Sequence, residues 1–253
     1  MFAKGAILNR SPARISPFTR SWHKVMRMKI YLDSAIVSSW RPLAGCPPIQ
    51  GATTNPSLMY QAGLAVNLPT YLKLVHAAGE AQLAELMLQM PSGDPSQALH
   101  WLDALRPAAE RAEVALTIKL PCHPEWLTCI RALKQEGQPV LLTALSNTVQ
   151  LLWAQALQVD FVAPYVSRLQ ADGRDVWALI EACVLAQDDF DEPGPALLAA
   201  SVKSPDVLAK LMGMGAAAVT LTPASLAAWS QDPLTQAAMD QFDQDVVASK
   251  RFN

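Results

Sequence analysis

A single-domain (β/α)8 barrel, the TIM barrel, with one extra C-terminal helix is the fold class this sequence predicts, and three observations predict it. From residue 29 onward, eight short apolar runs of strand character alternate with longer segments of helical periodicity. The chain has 253 residues, a usual length for such a barrel, and 51% of them are apolar, enough for a large core. No GxGxxG turn follows the first run, which argues against the competing doubly wound open sheet.

The predicted strands are 29–34, 50–55, 85–90, 115–120, 140–144, 161–166, 197–202 and 217–222. Between them, 95–111, 124–136, 147–157, 172–186 and 205–214 carry helical patterning. Several open on Asp, Ser, Asn or Pro, as helix N-termini do, and Gly137 and Gly215 mark helix ends. After the eighth unit, 232–249 opens Asp-Pro and sets Leu234, Ala238, Phe242 and Val246 at i, i+4 spacing. Barrel closure does not need this helix, so it either covers the barrel's own surface or crosses to a neighbouring subunit. The expected organisation is a basic, disordered leader over 1–27, the barrel over 28–231, and the helix with its tail over 232–253.

The net charge of −2 gives no support for a nucleic-acid or anionic-membrane partner, and no apolar run approaches the ~18–20 residues of a spanning helix. The charge is unevenly spread. The first 28 residues hold six basic side chains (Lys4, Arg10, Arg14, Arg20, Lys24, Arg27) and no acid, the composition of a transit peptide or a disordered tail. Cys46, Cys122, Cys129 and Cys183 have no CxxC or zinc-like spacing, which predicts free thiols in a reducing, cytoplasmic setting. The histidines are scattered and form no HExxH pair, so no metal site is expected. The acidic stretch 188–192 reads as a solvated loop.

Lys119 is the residue around which a site can be assembled. It lies in the run Ala-Leu-Thr-Ile-Lys-Leu-Pro. Strand side chains alternate, so if Leu116, Ile118 and Leu120 face the helices, Thr117 and Lys119 point into the barrel, with Lys119 near its C-terminal mouth. A buried ammonium is costly and is relieved by a lowered pKa, and the neutral amine that results is a nucleophile for carbonyl carbon. Polar residues stand near the C-terminal ends of the other strands: Asp33, Asn55, Gln89, Thr143, Tyr165, Ser201 with Lys203, and Thr222. Taken singly, Asn55 before Pro56 is a helix entry, Arg168 a surface cation, Lys203 an exposed residue at a helix start, and Tyr165 an interior aromatic. Their shared place around Lys119 is what points to chemistry. A Schiff base on Lys119 acts as an electron sink for carbon–carbon cleavage. Tyr165 serves as proton shuttle, Gln89 and Thr143 hold a relaying water, and Asp33 and Asn55 orient substrate hydroxyls. Arg168, Ser201 and Lys203 suit a phosphate.

These residues resemble the transaldolase family, and most closely its fructose-6-phosphate aldolase-like branch. The resemblance runs from Met28 to the end. Its most specific piece is Gly51-Ala52-Thr53-Thr54-Asn55-Pro56-Ser57-Leu58-Met59, joined by Tyr31-Leu32-Asp33, Ile118-Lys119-Leu120-Pro121, Val162-Ala163-Pro164-Tyr165-Val166-Ser167-Arg168 and Ala199-Ala200-Ser201-Val202-Lys203. It implies a metal-free, cofactor-free (β/α)8 barrel acting on sugar phosphates, with Lys119 as the Schiff-base lysine and Arg168 and Ser201 as the phosphate pair. Gln89 stands where larger transaldolases carry a glutamate, and Tyr165 stands where the aldolase-like branch has its tyrosine acid/base. The resemblance also implies a homo-oligomer whose C-terminal helix crosses to a neighbour. The chain departs from the pattern after Lys119, where His123 and Trp126 replace a threonine and a glycine. A bulky Trp126 is expected to narrow the mouth or repack the next helix. The competing reading is a non-catalytic barrel of the same kind that binds sugar phosphates or a protein partner.

Overall fold

The computed structural model describes residues 28–41, 49–188 and 194–252. The leader over 1–27, Cys46 and most of the acidic stretch lie outside the described residues.

Eight parallel strands close into one barrel in sequence order, as predicted: β1 (Lys29–Asp33), β2 (Gly51–Thr53), β3 (Glu85–Gln89), β4 (Ala115–Pro121), β5 (Val140–Leu145), β6 (Phe161–Pro164), β7 (Ala196–Ala199) and β8 (Ala218–Leu221). Alternation along each strand divides the apolar residues into two sets. The outer set, including Leu86, Leu88, Leu116, Ile118, Leu120, Val140 and Leu142, packs beneath the helices in the main core. A smaller inner cluster of Tyr31, Met87, Leu141, Ala163, Leu198 and Ala218 fills the barrel's interior. Low in that interior, Tyr31 and Thr117 each donate a hydroxyl hydrogen bond of 2.6 Å to the two carboxylate oxygens of Glu85. Burial and the neighbouring negative charge push the Tyr31 phenol up. Gly51 permits the closeness of β2 to β3, since a Cβ there would lie 2.0 Å from the Glu85 carbonyl oxygen.

The helices are α1 (Pro56–Gln61), α2 (Leu68–Glu80), α3 (Pro95–Arg111), α4 (Leu127–Gln135), α5 (Thr148–Ala156), α6 (Val166–Ala171), α7 (Val176–Gln187), α8 (Pro205–Met214), α9 (Pro223–Trp229) and α10 (Pro233–Ser249). A side-chain cap followed by proline starts many of them: Asn55-Pro56, Asp94-Pro95, Ser204-Pro205, Thr222-Pro223 and Asp232-Pro233. The cap accepts an orphan backbone N–H while proline, lacking one, leaves none to satisfy. Several boundaries differ from the sequence expectation, among them three that lie where a helix begins. Strand β2 stops at Thr53 because Asn55 is already a cap. Strand β6 stops at Pro164, so Tyr165 becomes the entry to α6. The helix expected over 172–186 starts at Val176, capped by Asp175.

Helix α10 leaves its apolar face uncovered, with Leu234 82%, Phe242 64% and Val246 61% exposed. It does not cover the barrel's own surface. No helix among the described residues is long and apolar enough to cross a membrane.

Candidate active site

A cavity of about 100 Å³ opens at the C-terminal mouth of the barrel between Lys119, Asp33, Asn55, Tyr165 and Ser201. Lys119 enters it from β4 on the inward parity expected from sequence, and is only 5% exposed. Its Nζ donates to the Thr54 carbonyl oxygen at 2.9 Å. Burial lowers its pKa to about 8, against an upward pull from the Asp33 carboxylate.

Thr143 and Tyr165 meet across the neighbouring strands, their hydroxyl oxygens 2.9 Å apart. Two local features produce the meeting. The β5–β6 register shifts between Thr143 and Leu145, with Ala144 at φ +59°, and such a bulge re-aims the residue beside it. Tyr165 leaves β6 directly into α6, so Arg168 lies one helical turn further on. The Arg168 guanidinium carbon stands 4.7 Å from the centre of the Tyr165 ring, a cation–π contact that holds both side chains at the cavity wall.

Ser201 continues beyond β7 in the left-handed region, φ +58°, and its carbonyl oxygen accepts from the Ser167 N–H at 3.1 Å. A serine held there is strained, a feature that recurs at ligand sites. Lys203 reaches the rim of the cavity from an exposed position. Arg168, Ser201 and Lys203 all line the cavity.

Asn55 has two tasks. Its Oδ1 accepts from the Leu58 N–H at 3.0 Å and caps α1, while the residue also lines the cavity. With the oxygen engaged, the amide NH2 is what it offers a ligand.

Two expected members sit differently. Gln89 pairs with Lys119 in the β3–β4 register and is half-buried, but it does not line the cavity with Thr143 and Tyr165. Its backbone carbonyl accepts from the Tyr71 hydroxyl. Thr222 is a helix cap, accepting from the Ser225 N–H at 3.1 Å. The polar residue that β8 contributes is instead Thr220, two positions earlier, and β2 adds Thr53. Sequence reasoning passed over both, although the alternation that placed Lys119 applies to them: Thr53 is the register partner of Asp33, and Thr220 that of Tyr31.

The mouth is not narrowed by Trp126. That side chain packs partly against the core and beside Gly93, where an added Cβ would stand 3.4 Å from the indole. His123 is a loop residue whose Nδ1 accepts from the Glu125 N–H at 3.4 Å. Cys122 is buried, and burial pushes its thiol up to about 11, which favours the thiol over the nucleophilic thiolate.

Comparison with solved structures gives the fold. The chain is similar to a Burkholderia cenocepacia J2315 protein provisionally assigned as a phosphonomutase, with 17% identity, coverage of 86% of this chain and 96% of that one, and a TM-score of 0.52. It is also similar to phosphonopyruvate hydrolase in complex with oxalate and Mg++, with 13% identity, coverage of 89% and 83%, and a TM-score of 0.55. A family profile is more telling. That of transaldolase/fructose-6-phosphate aldolase matches residues 103–253, a segment that holds Lys119, Thr143, Tyr165, Arg168, Ser201 and Lys203. On that match over more than half its length, the chain belongs to the transaldolase/fructose-6-phosphate aldolase family.

Proposed function

We propose that the protein is a class I, Schiff-base aldolase or transaldolase of ketose phosphates. It cleaves fructose 6-phosphate to dihydroxyacetone and glyceraldehyde 3-phosphate, or passes the dihydroxyacetone unit to an aldose phosphate. The observation that carries the reading is Lys119, an amine lowered to about 8 by burial at the wall of the cavity. About one amine in ten is then neutral at pH 7, far more than for a solvated lysine.

The neutral Nζ adds to the ketone carbon and water leaves, giving an iminium. The C3–C4 bond breaks, its electron pair passes into the iminium to give an enamine, and as the aldehyde departs the C4 hydroxyl gives its proton to the Tyr165 oxygen, left as phenolate when it protonated the departing water. Tyr165, paired with Thr143, then delivers a proton to the enamine carbon, and water hydrolyses the new iminium to free dihydroxyacetone. In the transfer cycle an aldose phosphate takes the enamine instead, in a new carbon–carbon bond. Asp33 and the Asn55 amide orient the hydroxyls of the ketose, and Arg168, Ser201 and Lys203 hold its phosphate. The uncovered face of α10 supports a homo-oligomer in which this helix packs on a neighbouring copy.

Incubation with fructose 6-phosphate, with and without erythrose 4-phosphate, tests the proposal. Glyceraldehyde 3-phosphate released alone marks an aldolase, and release that depends on the acceptor marks a transaldolase. Release under neither condition overturns the enzyme reading in favour of a sugar-phosphate-binding barrel.

A further inference from the structure

Asp33 ends β1, and the strands on both sides of β1 reach toward it with a buried hydroxyl. Thr53, on β2, is 1% exposed and its Oγ1 donates to Asp33 Oδ1 at 2.9 Å. Thr220, on β8, is 5% exposed and its Oγ1 lies 2.7 Å from that of Thr53. A hydroxyl carries one proton. The proton of Thr53 is given to the carboxylate, so the contact between the two threonines is donated by Thr220. The donors therefore run in one direction, from β8 through β2 to the carboxylate on β1. No other side-chain hydrogen bond reaches Asp33 among the described residues, which leaves Oδ2 without a hydrogen-bond donor there, while the charge of the carboxylate is felt by Lys119. In so dry a setting each bond of such a chain polarises the next.

We propose that Thr220, acting through Thr53, is a positioning residue that fixes the Asp33 carboxylate and reserves Oδ2 for the hydroxyl groups of the substrate. The proposal rests on the Schiff-base reading above, in which Asp33 touches the ketose. Thr220 borders the same cavity, and its task here is to set, through Thr53, the rotation of the carboxylate that meets the ketose. A threonine that merely filled space would be replaced without kinetic consequence by valine, which has nearly the same shape.

The test is steady-state cleavage of fructose 6-phosphate by Thr220→Val, Thr220→Ser, Thr53→Val and the Thr53→Val/Thr220→Val double variant, each checked for its unfolding midpoint. Thr220→Val is expected to lower kcat about tenfold with KM changed by less than about twofold, because a lost orienting bond is felt chiefly at the transition state. Thr220→Ser, which keeps the hydroxyl, should return kcat to within about twofold of wild type. The double variant should be no slower than Thr53→Val alone, since both residues act through one chain of bonds. Wild-type kcat in Thr220→Val, or losses that multiply in the double variant, would overturn the relay. If Thr220→Val does not fold, Thr220→Ala is measured against Thr220→Ser by the same criteria. Borohydride trapping of wild-type Lys119 with dihydroxyacetone separates the two levels. No adduct there overturns the parent reading, whereas a normal adduct with an unaffected Thr220→Val overturns the relay alone.

Discussion

The Tyr165 hydroxyl stands 2.9 Å from that of Thr143, at the one place where β5 slips register against β6. Only one of these two oxygens donates to the other, so the pair can pass a proton along itself. Tyr165→Phe is expected to lower kcat by about 10²–10⁴-fold while the Lys119 adduct still forms. Stopped turnover with continued trapping, read by mass, checks it, and a normal rate in the variant would remove Tyr165 from the proton path.

The Lys119 amine also has a consequence for stability. Its pKa is about 8 in the folded chain against 10.5 when solvated. Below about pH 8 both states are protonated, and the folded state bears the whole cost of burying the charge, about 3 kcal/mol. Between the two values the unfolded chain binds more protons, so stability rises with pH, and the cost is gone above about pH 10.5. Lys119→Met removes the cost together with the hydrogen bond to the Thr54 carbonyl, worth about 1 kcal/mol. The variant is expected to be inactive yet about 2 kcal/mol more stable at pH 7, with an advantage that shrinks as the pH climbs from about 8. Denaturant unfolding across that range measures it.

The two ends of the Asn55 amide can be separated by substitution. Asn55→Asp keeps an oxygen to cap α1 and loses the NH2 offered to the cavity. Stability should stay within about 0.5 kcal/mol while KM rises about tenfold. Asn55→Ala should lose about 1 kcal/mol of stability as well. A thermal melt beside a KM measurement distinguishes these outcomes.

Arg168 is stacked on Tyr165 and lines the cavity, where the proposal has it hold the substrate's phosphate. Lysine in its place keeps the charge but neither the planar stacking nor the bidentate fork. Arg168→Lys should lower kcat/KM for fructose 6-phosphate about tenfold, with little change for unphosphorylated glyceraldehyde as acceptor of dihydroxyacetone. An equal loss with both substrates would place Arg168 in the chemistry instead of at the phosphate.

Much of this was legible in the sequence because it follows from alternation and capping. Leu116, Ile118 and Leu120 on one parity sufficed to put Lys119 inside the barrel, and cap-plus-proline pairs such as Asp94-Pro95 and Ser204-Pro205 placed α3 and α8 at their observed starts. What escaped depends on contacts between strands. Thr222 and Thr220 share a parity, and only the start of α9 at Pro223 decides that the first becomes a cap and the second faces the cavity. Trp126 was expected at the mouth from its nearness to Lys119 in sequence, but the turn at Pro124–Trp126 carries it to Gly93. The side-chain contact of Arg168 with Tyr165 needed both the end of β6 at Pro164 and the first turn of α6, a boundary that residue patterns locate poorly.

Reductive trapping measures the central claim most directly. The protein is treated with dihydroxyacetone and sodium borohydride from about pH 6 to 10, digested, and weighed peptide by peptide. A reduced three-carbon adduct is predicted on Lys119 alone, with a formation rate that rises to a plateau around a midpoint near 8. An unmodified Lys119, or labelling spread over exposed lysines with a midpoint near 10.5, would contradict the account.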